Sequence, residues 1–171
     1  MELSKYIATI PNYPEDGVEF KDITPLLINR DAFRFALSEF EKHFVDDDVQ
    51  YIAGIEARGF LFASALADRL NCGLIPIRKA GKLPGDVLRK EYELEYGKAE
   101  LEIRKDTLPA GARVLIVDDV LATGGTAICA ANLLGGVGAD IIGFAFLASL
   151  LFLEGERKLH GYRTVTLVKY E

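Results

Sequence analysis

Val114-Leu115-Ile116-Val117-Asp118-Asp119-Val120-Leu121-Ala122-Thr123-Gly124-Gly125-Thr126 decides the fold class of this chain. Val114–Val117 has the length and β-branched content of a buried strand. Asp118 and Asp119 are placed between that strand and a loop of small residues, Ala122–Thr126, which opens into a helix-like segment. A strand, an acidic end and a glycine turn into a helix make the start of a βα unit. In open α/β sheets, ligands bind outside the carboxyl ends of such strands. Gly124 and Gly125 admit backbone angles that other residues resist. Successive N–H groups running into a helix N-terminus form an anion site, to which Thr123 and Thr126 add hydroxyl donors.

Two adjacent carboxylates are awkward neighbours. At about 4 Å and an effective dielectric of about 20 they repel by roughly 4 kcal/mol. The 2′ and 3′ hydroxyls of a ribose are a donor set that relieves this, and a divalent cation helps as well. Acids followed by a phosphate loop therefore point to a ribose 5-phosphate. The diol is expected on Asp118 and Asp119, the phosphate on Ala122, Thr123, Gly124, Gly125 and Thr126.

Upstream, Tyr51–Ile55 is a short strand that ends in Glu56-Ala57-Arg58-Gly59 and leads into a helix from Phe60 to Leu70. Leu74–Ile77 is a second strand, ending in Arg78-Lys79-Ala80-Gly81-Lys82. Parallel strands would bring these two cationic ends and the acidic end to one rim. Cations facing an acid pair suit a polyphosphate. Asp31–Val45 is a helix whose Phe33, Leu37, Phe40 and Phe44 share one face, with Asn29 or Asp31 as its cap. Downstream, Asp140–Leu147 and Thr164–Val168 are further strands. Residues 1–28 lack periodicity and pack by aromatics, as a lid would. Residues 81–110 interrupt the βα alternation with little core content, as either a functional flap or a disordered loop does. The fold class is α/β, a mostly parallel twisted sheet flanked by helices. One domain spans 1–171, with a hood at 1–30 and a flexible loop or β-arm at 81–110.

The balance of 20 basic and 26 acidic residues, net −6, argues against a nucleic-acid or membrane-surface binder. No apolar run approaches the ~20 residues of a membrane span. Cys72 and Cys129 lie far apart with no CxxC and are expected as reduced thiols of a cytoplasmic protein.

Four other motifs precede the opening stretch in order: Gly17-Val18-Glu19-Phe20-Lys21-Asp22-Ile23, Glu56-Ala57-Arg58-Gly59-Phe60, Arg78-Lys79-Ala80-Gly81-Lys82-Leu83-Pro84-Gly85 and Leu94-Glu95-Tyr96-Gly97-Lys98-Ala99-Glu100-Leu101-Glu102. The opening stretch resembles the phosphoribosyl pyrophosphate (PRPP) signature of the type I phosphoribosyltransferases. The five together resemble the adenine phosphoribosyltransferases, from near the N-terminus to Val168-Lys169-Tyr170-Glu171. The resemblance implies the type I phosphoribosyltransferase fold and a pentosyltransferase of purine salvage, converting adenine and PRPP to AMP and pyrophosphate with Mg2+. The metal would be carried on PRPP, with Asp118 and Asp119 nearby. It also implies a homodimer.

By the same resemblance, Glu95 and Tyr96 close over the substrates as catalytic groups, and Arg58 joins the pyrophosphate turn. Arg78, Lys79 and Lys82 contact pyrophosphate, at least one of them in the neighbouring subunit's site. Phe20 stacks on adenine with Leu150 on its other face, while the main chain of Val18, Glu19, Phe20 and Lys21 bonds the adenine edge. The chain departs from the family at Ser149, where an acid is common, and at Ala80, where a larger polar residue is common. A 6-oxopurine phosphoribosyltransferase would need a donor after the PRPP loop, and Ala127–Ala131 offers no lysine. A non-enzymatic PRPP-binding regulator would carry an added DNA-binding helix pair or a basic RNA-binding face.

Overall fold

The computed structural model of the chain describes residues 1–93, 97–106 and 108–171. Its seven-stranded sheet comprises β3 (Tyr51–Ile55), β4 (Gly73–Lys79), β5 (Val87–Glu93), β6 (Lys98–Arg104), β7 (Arg113–Leu121), β8 (Asp140–Leu150) and β9 (Thr164–Tyr170), in the order β5-β6-β4-β3-β7-β8-β9. The β4-β3-β7-β8-β9 block is parallel, and the β5–β6 hairpin closes one edge antiparallel. A separate two-stranded hood pairs β1 (Ala8–Pro11) with β2 (Glu19–Asp22).

Helices cover both faces, which is why the central strands read as continuous apolar runs. Along β7, Leu115 and Val117 face one core with Phe40, Phe62, Leu66 and Leu147. Val114 and Ile116 face the other, with Ile55, Ile77, Leu134 and Phe146. The first core lies under α2 (Arg30–Phe44) and α3 (Gly59–Leu70), the second under α4 (Gly125–Gly136). Each fully buried Phe or Leu there contributes roughly 1.5–3 kcal/mol. The Asn29 side chain accepts from the Ala32 N–H at 2.9 Å and caps α2, with Asp31 in the first turn and Lys42 and His43 in the last, an arrangement that complements the helix dipole.

Four expectations need correction. The strand carrying the acids does not stop at Val117. Val120 and Leu121 pair with Ala148 and Ser149 of β8, so Asp118 and Asp119 belong to a paired strand. Residues 81–110 are not poor in core: Leu101 and Ile103 of β6 are fully buried beside α4. Residues 1–28 form more than an irregular arm, since the β1–β2 hairpin runs into a short helix, α1 (Thr24–Ile28). The last strands also run to Leu150 and Tyr170.

Candidate active site

Because β3, β4 and β7 are parallel neighbours, their carboxyl ends open on one rim. Asp118 sits half-buried near the end of β7 and Asp119 is 4% exposed. The Asp119 N–H donates to Asp118 Oδ1 at 2.8 Å. Burial pushes Asp118 well above the usual carboxylate range, and the charge of Asp119 pushes it further. Burial also raises Asp119, although the Arg58 guanidinium pulls it back. Arg58 Nε comes within 2.7 Å of Asp119 Oδ2, yet the alignment is not that of a hydrogen bond. That oxygen is buried with no hydrogen-bond partner among the described residues. The pair therefore holds acceptor capacity that a diol donor or a cation would satisfy.

Gly59 lets the Arg58 turn approach this pair, for a Cβ there would lie 2.8 Å from Asp118 Oδ1 and 2.9 Å from the Val117 carbonyl. Arg58 also reaches the hood. Its guanidinium carbon lies 4.7 Å from the Phe20 ring centroid, and Nη1 donates to the Lys21 carbonyl at 3.2 Å. One side chain thus touches the acid pair and the hood strand β2.

Beyond Leu121 the chain turns through Ala122–Gly124 into α4. Gly124 has φ +76°, a conformation other residues resist. Asp118, Ala122, Thr123, Gly124, Thr126 and Phe146 are among the residues lining one concavity, beside the N-terminus of α4, where an anion is favoured. Gly125 opens the helix and is buried. The loop rests on Gly155: a Cβ at Gly155 would meet the Ala122 carbonyl at 2.1 Å, and one at Gly124 would meet the Gly155 carbonyl at 2.5 Å. No motif in the sequence signals this role of Gly155, because the contact joins distant backbones.

At the cationic rim, Glu56 holds the cluster together. Arg78 Nε donates to Glu56 Oε2 at 3.3 Å, the Lys79 N–H donates to the same oxygen at 2.9 Å, and Lys82 Nζ bonds Oε1. The Lys79 side chain is exposed. Burial alone would raise Glu56, but these donors outweigh it and hold its carboxyl at about 2. Glu102, fully buried on β6, accepts from the Lys82 and Leu83 N–H groups, each at 2.7 Å, and from Arg89 Nε at 2.9 Å. Those bonds overcome its burial and keep it also at about 2. Neither glutamate was singled out from sequence. Glu56 sits in a motif valued for Arg58 and Glu102 in one valued for Glu95 and Tyr96, and only tertiary pairing reveals them.

In the hood, Val18 and Glu19 line a cavity with Leu150 and with Phe152 and Leu153, which were not anticipated. Tyr13 meets the Phe20 ring edge-on at 5.2 Å between centroids. Two of the main-chain carbonyls assigned to base reading already accept a bond, Val18 from the Tyr13 N–H and Lys21 from Arg58. The Lys21 side chain turns away from the cavity, to Thr9 at 2.9 Å and over the Tyr170 ring at 4.4 Å. Ser149 is buried and lines a neighbouring hollow with Leu151 and Glu154. Glu95 and Tyr96 lie outside the described residues. No group of three or more His, Cys, Asp or Glu side chains converges to hold a metal among the described residues.

A family model for the phosphoribosyl transferase domain matches residues 26–168. The adenine phosphoribosyltransferase of Halothermothrix orenii is 47% identical over 169 residues, which cover 99% of each chain. The crystal structure of adenine phosphoribosyltransferase from Thermoanaerobacter pseudethanolicus superposes with a TM-score of 0.96 at 46% identity, covering 99% of this chain and 98% of that one. The Saccharomyces cerevisiae adenine phosphoribosyltransferase, complexed with an imino-altritol bisphosphate and adenine, gives a TM-score of 0.92 at 40% identity, covering 97% and 96%.

Proposed function

Because this chain belongs to the adenine phosphoribosyltransferases, of the type I phosphoribosyltransferase fold, we propose that its rim performs that family's reaction with the residues just described. The reaction transfers the phosphoribosyl group of PRPP to adenine, giving AMP and pyrophosphate in purine salvage. Asp118 and Asp119 take the ribose diol, and Ala122 to Thr126 take the 5-phosphate. The observation that carries this assignment is the acid pair at the loop: Asp119 Oδ2 is buried against Arg58 without a hydrogen bond among the described residues, and Asp118 lines the concavity formed with Ala122, Thr123, Gly124 and Thr126.

Displacement at C1 builds positive charge on the sugar ring, like the oxocarbenium-like state of glycoside chemistry. The acid pair lies where carboxylate charge favours that state, while Arg58, Arg78, Lys79 and Lys82 receive the departing pyrophosphate. Adenine enters between Phe20 and Leu150, with the Val18–Lys21 main chain reading its edge. A 6-oxo purine reverses the donor and acceptor demands of that edge, and mismatches of this kind discriminate by up to about 10⁴–10⁵. Glu95 and Tyr96 close over the site, Glu95 assisting proton movement at the purine N7/N9 edge, and closure excludes water from PRPP. The open acceptor capacity of Asp119 fits Mg2+ carried on PRPP as well as it fits a diol, and the ion supplies neutralisation of the pyrophosphate charge.

The chain acts as one domain, 1–171, with a hood at 1–30 and a catalytic loop or β-arm at 81–110. A homodimer is supported by the exposed apolar side chains Leu61 on α3 and Leu74 on the adjoining β4. Free Cys72 and Cys129 support the cytoplasm as its compartment. No described helix is long and apolar enough to cross a membrane. The test is product formation from PRPP with labelled adenine, guanine or hypoxanthine. AMP from adenine alone is the expected result. Product from hypoxanthine or guanine would overturn the base assignment, and no product from any base would leave a PRPP-binding regulator. Sedimentation of the purified chain tests the dimer.

A further inference from the structure

The cationic rim already has an anion seated in it. Glu56, 8% exposed at its side chain, gathers Arg78, Lys82 and the Lys79 N–H around its two oxygens. These are one guanidinium, one ammonium and one backbone donor, and their three residues are among the four that the proposed function gives to pyrophosphate. Lys82 is also fixed at its other end, because its N–H donates to Glu102. The receptor is therefore rigidly built around a carboxylate.

We propose that Glu56 is a resident counter-anion of the pyrophosphate receptor: it keeps Arg78 and Lys82 together when no polyphosphate is bound, and it reclaims them as pyrophosphate leaves. The inference rests on the assignment of these cations to pyrophosphate and adds a positioning residue to it. A polyphosphate arriving at these donors must share them with Glu56 or displace it. Like charges that compete for one set of donors weaken each other's binding. Glu56 thus lowers pyrophosphate affinity and speeds its release, while sparing Arg78 and Lys82 the cost of standing as adjacent unpaired cations.

The sign separates this role from scaffolding. Loss of a mere scaffold can only weaken pyrophosphate binding, whereas loss of a competitor strengthens it. Glu56→Gln keeps the size and an acceptor for the Lys79 N–H and removes the charge. Calorimetric titration of the purified chain with magnesium pyrophosphate, together with pyrophosphate inhibition of AMP formation, is expected to show affinity at least about tenfold tighter, with a slower turnover and an unaltered KM for adenine. Pyrophosphate affinity unchanged or weaker in Glu56→Gln, while Lys82→Ala weakens it, overturns the counter-anion role and leaves the cation assignment standing. Unchanged affinity in Lys82→Ala overturns the assignment and the proposal with it. If the Gln variant does not fold, Glu56→Asp, which keeps the charge but withdraws it from Lys82, is expected to tighten pyrophosphate to a lesser degree, and a loss of affinity there counts against the proposal.

Discussion

Gly155→Ala is the sharpest test of how the phosphate loop is held. A Cβ at this position would stand 2.1 Å from the Ala122 carbonyl oxygen, 2.9 Å from the Gly124 nitrogen and 3.0 Å from the Ala122 carbonyl carbon. Ordinary contact begins near ~3.5 Å, so the loop must retreat by more than about 1 Å. All the nearby atoms are backbone, so no side chain can rotate to absorb the methyl. Overpacking of this kind costs about 1–3 kcal/mol, which in a domain of this size lowers Tm by roughly 2–12 °C. The functional loss is larger than the stability loss, since a displacement of about 1 Å at a positioning element costs on the order of 10²-fold. The assay is steady-state kinetics with PRPP varied at saturating adenine, with PRPP affinity measured by titration and Tm by calorimetry. kcat/KM for PRPP is expected to fall about 100-fold, while adenine affinity, set on the hood, changes little. A variant with PRPP affinity within about twofold of the parent and an unshifted Tm would falsify the claim that this backbone contact sets the loop.

The remaining predictions concern the charged groups and the hood. Asp118→Asn removes one charge of a buried pair whose carboxyls sit above their ordinary range. The raised folded value means that ionisation costs the parent stability as pH rises through it, so at neutral pH the ligand-free variant should melt no lower than the parent and bind PRPP at least about tenfold more weakly. Equal PRPP affinity in a direct titration would contradict the diol role. Glu56 and Glu102 have the opposite sign: each carboxyl is held at about 2 against an ordinary 4.5. Their stabilisation, on the order of 3 kcal/mol each at most, is complete above about pH 4.5 and lost as pH falls toward 2. A melting profile against pH should therefore be flatter over that window in Glu102→Gln than in the parent, and parallel profiles would refute it. Tyr170→Phe removes a buried hydroxyl with no hydrogen-bond partner among the described residues and keeps the ring beneath Lys21. Tm should hold or rise, and a clear fall would show that the hydroxyl has a partner in solution. Tyr170→Leu, which removes the ring, should raise KM for adenine by loosening the hood.

The sheet was legible because its code is local. β-branched runs at Tyr51–Ile55 and Val114–Val117, each followed by a turn and a helix, specify parallel βα units. The period of Leu37, Phe40 and Phe44 specifies α2. Strand ends were less legible. Asp118 and Asp119 read as loop because two adjacent charges disfavour a strand, and pairing of Val120 and Leu121 with β8 overrides that preference. The hairpin at Val87–Arg104 was underestimated because Glu102 breaks the apolar pattern of β6, although it is satisfied by three donors that come from elsewhere in the chain. In the site, the groups that would touch substrate were visible as motif residues. Those that hold them, Glu56, Glu102 and Gly155, were not, since each acts through a partner at least about twenty residues away, where no periodicity reaches.

That the acid pair lies inside a paired strand has a consequence for how the molecule breathes. Amides of β7 near Asp118 and Asp119, paired in the middle of the sheet, are expected to exchange with solvent among the slowest of the chain. The hood hairpin, two strands paired only to each other among the described residues, is expected to exchange faster. Arg58, which donates to the Lys21 carbonyl and lies against Asp119, ties the two units together, so opening of the hairpin is expected to be felt at the acid pair through that one side chain.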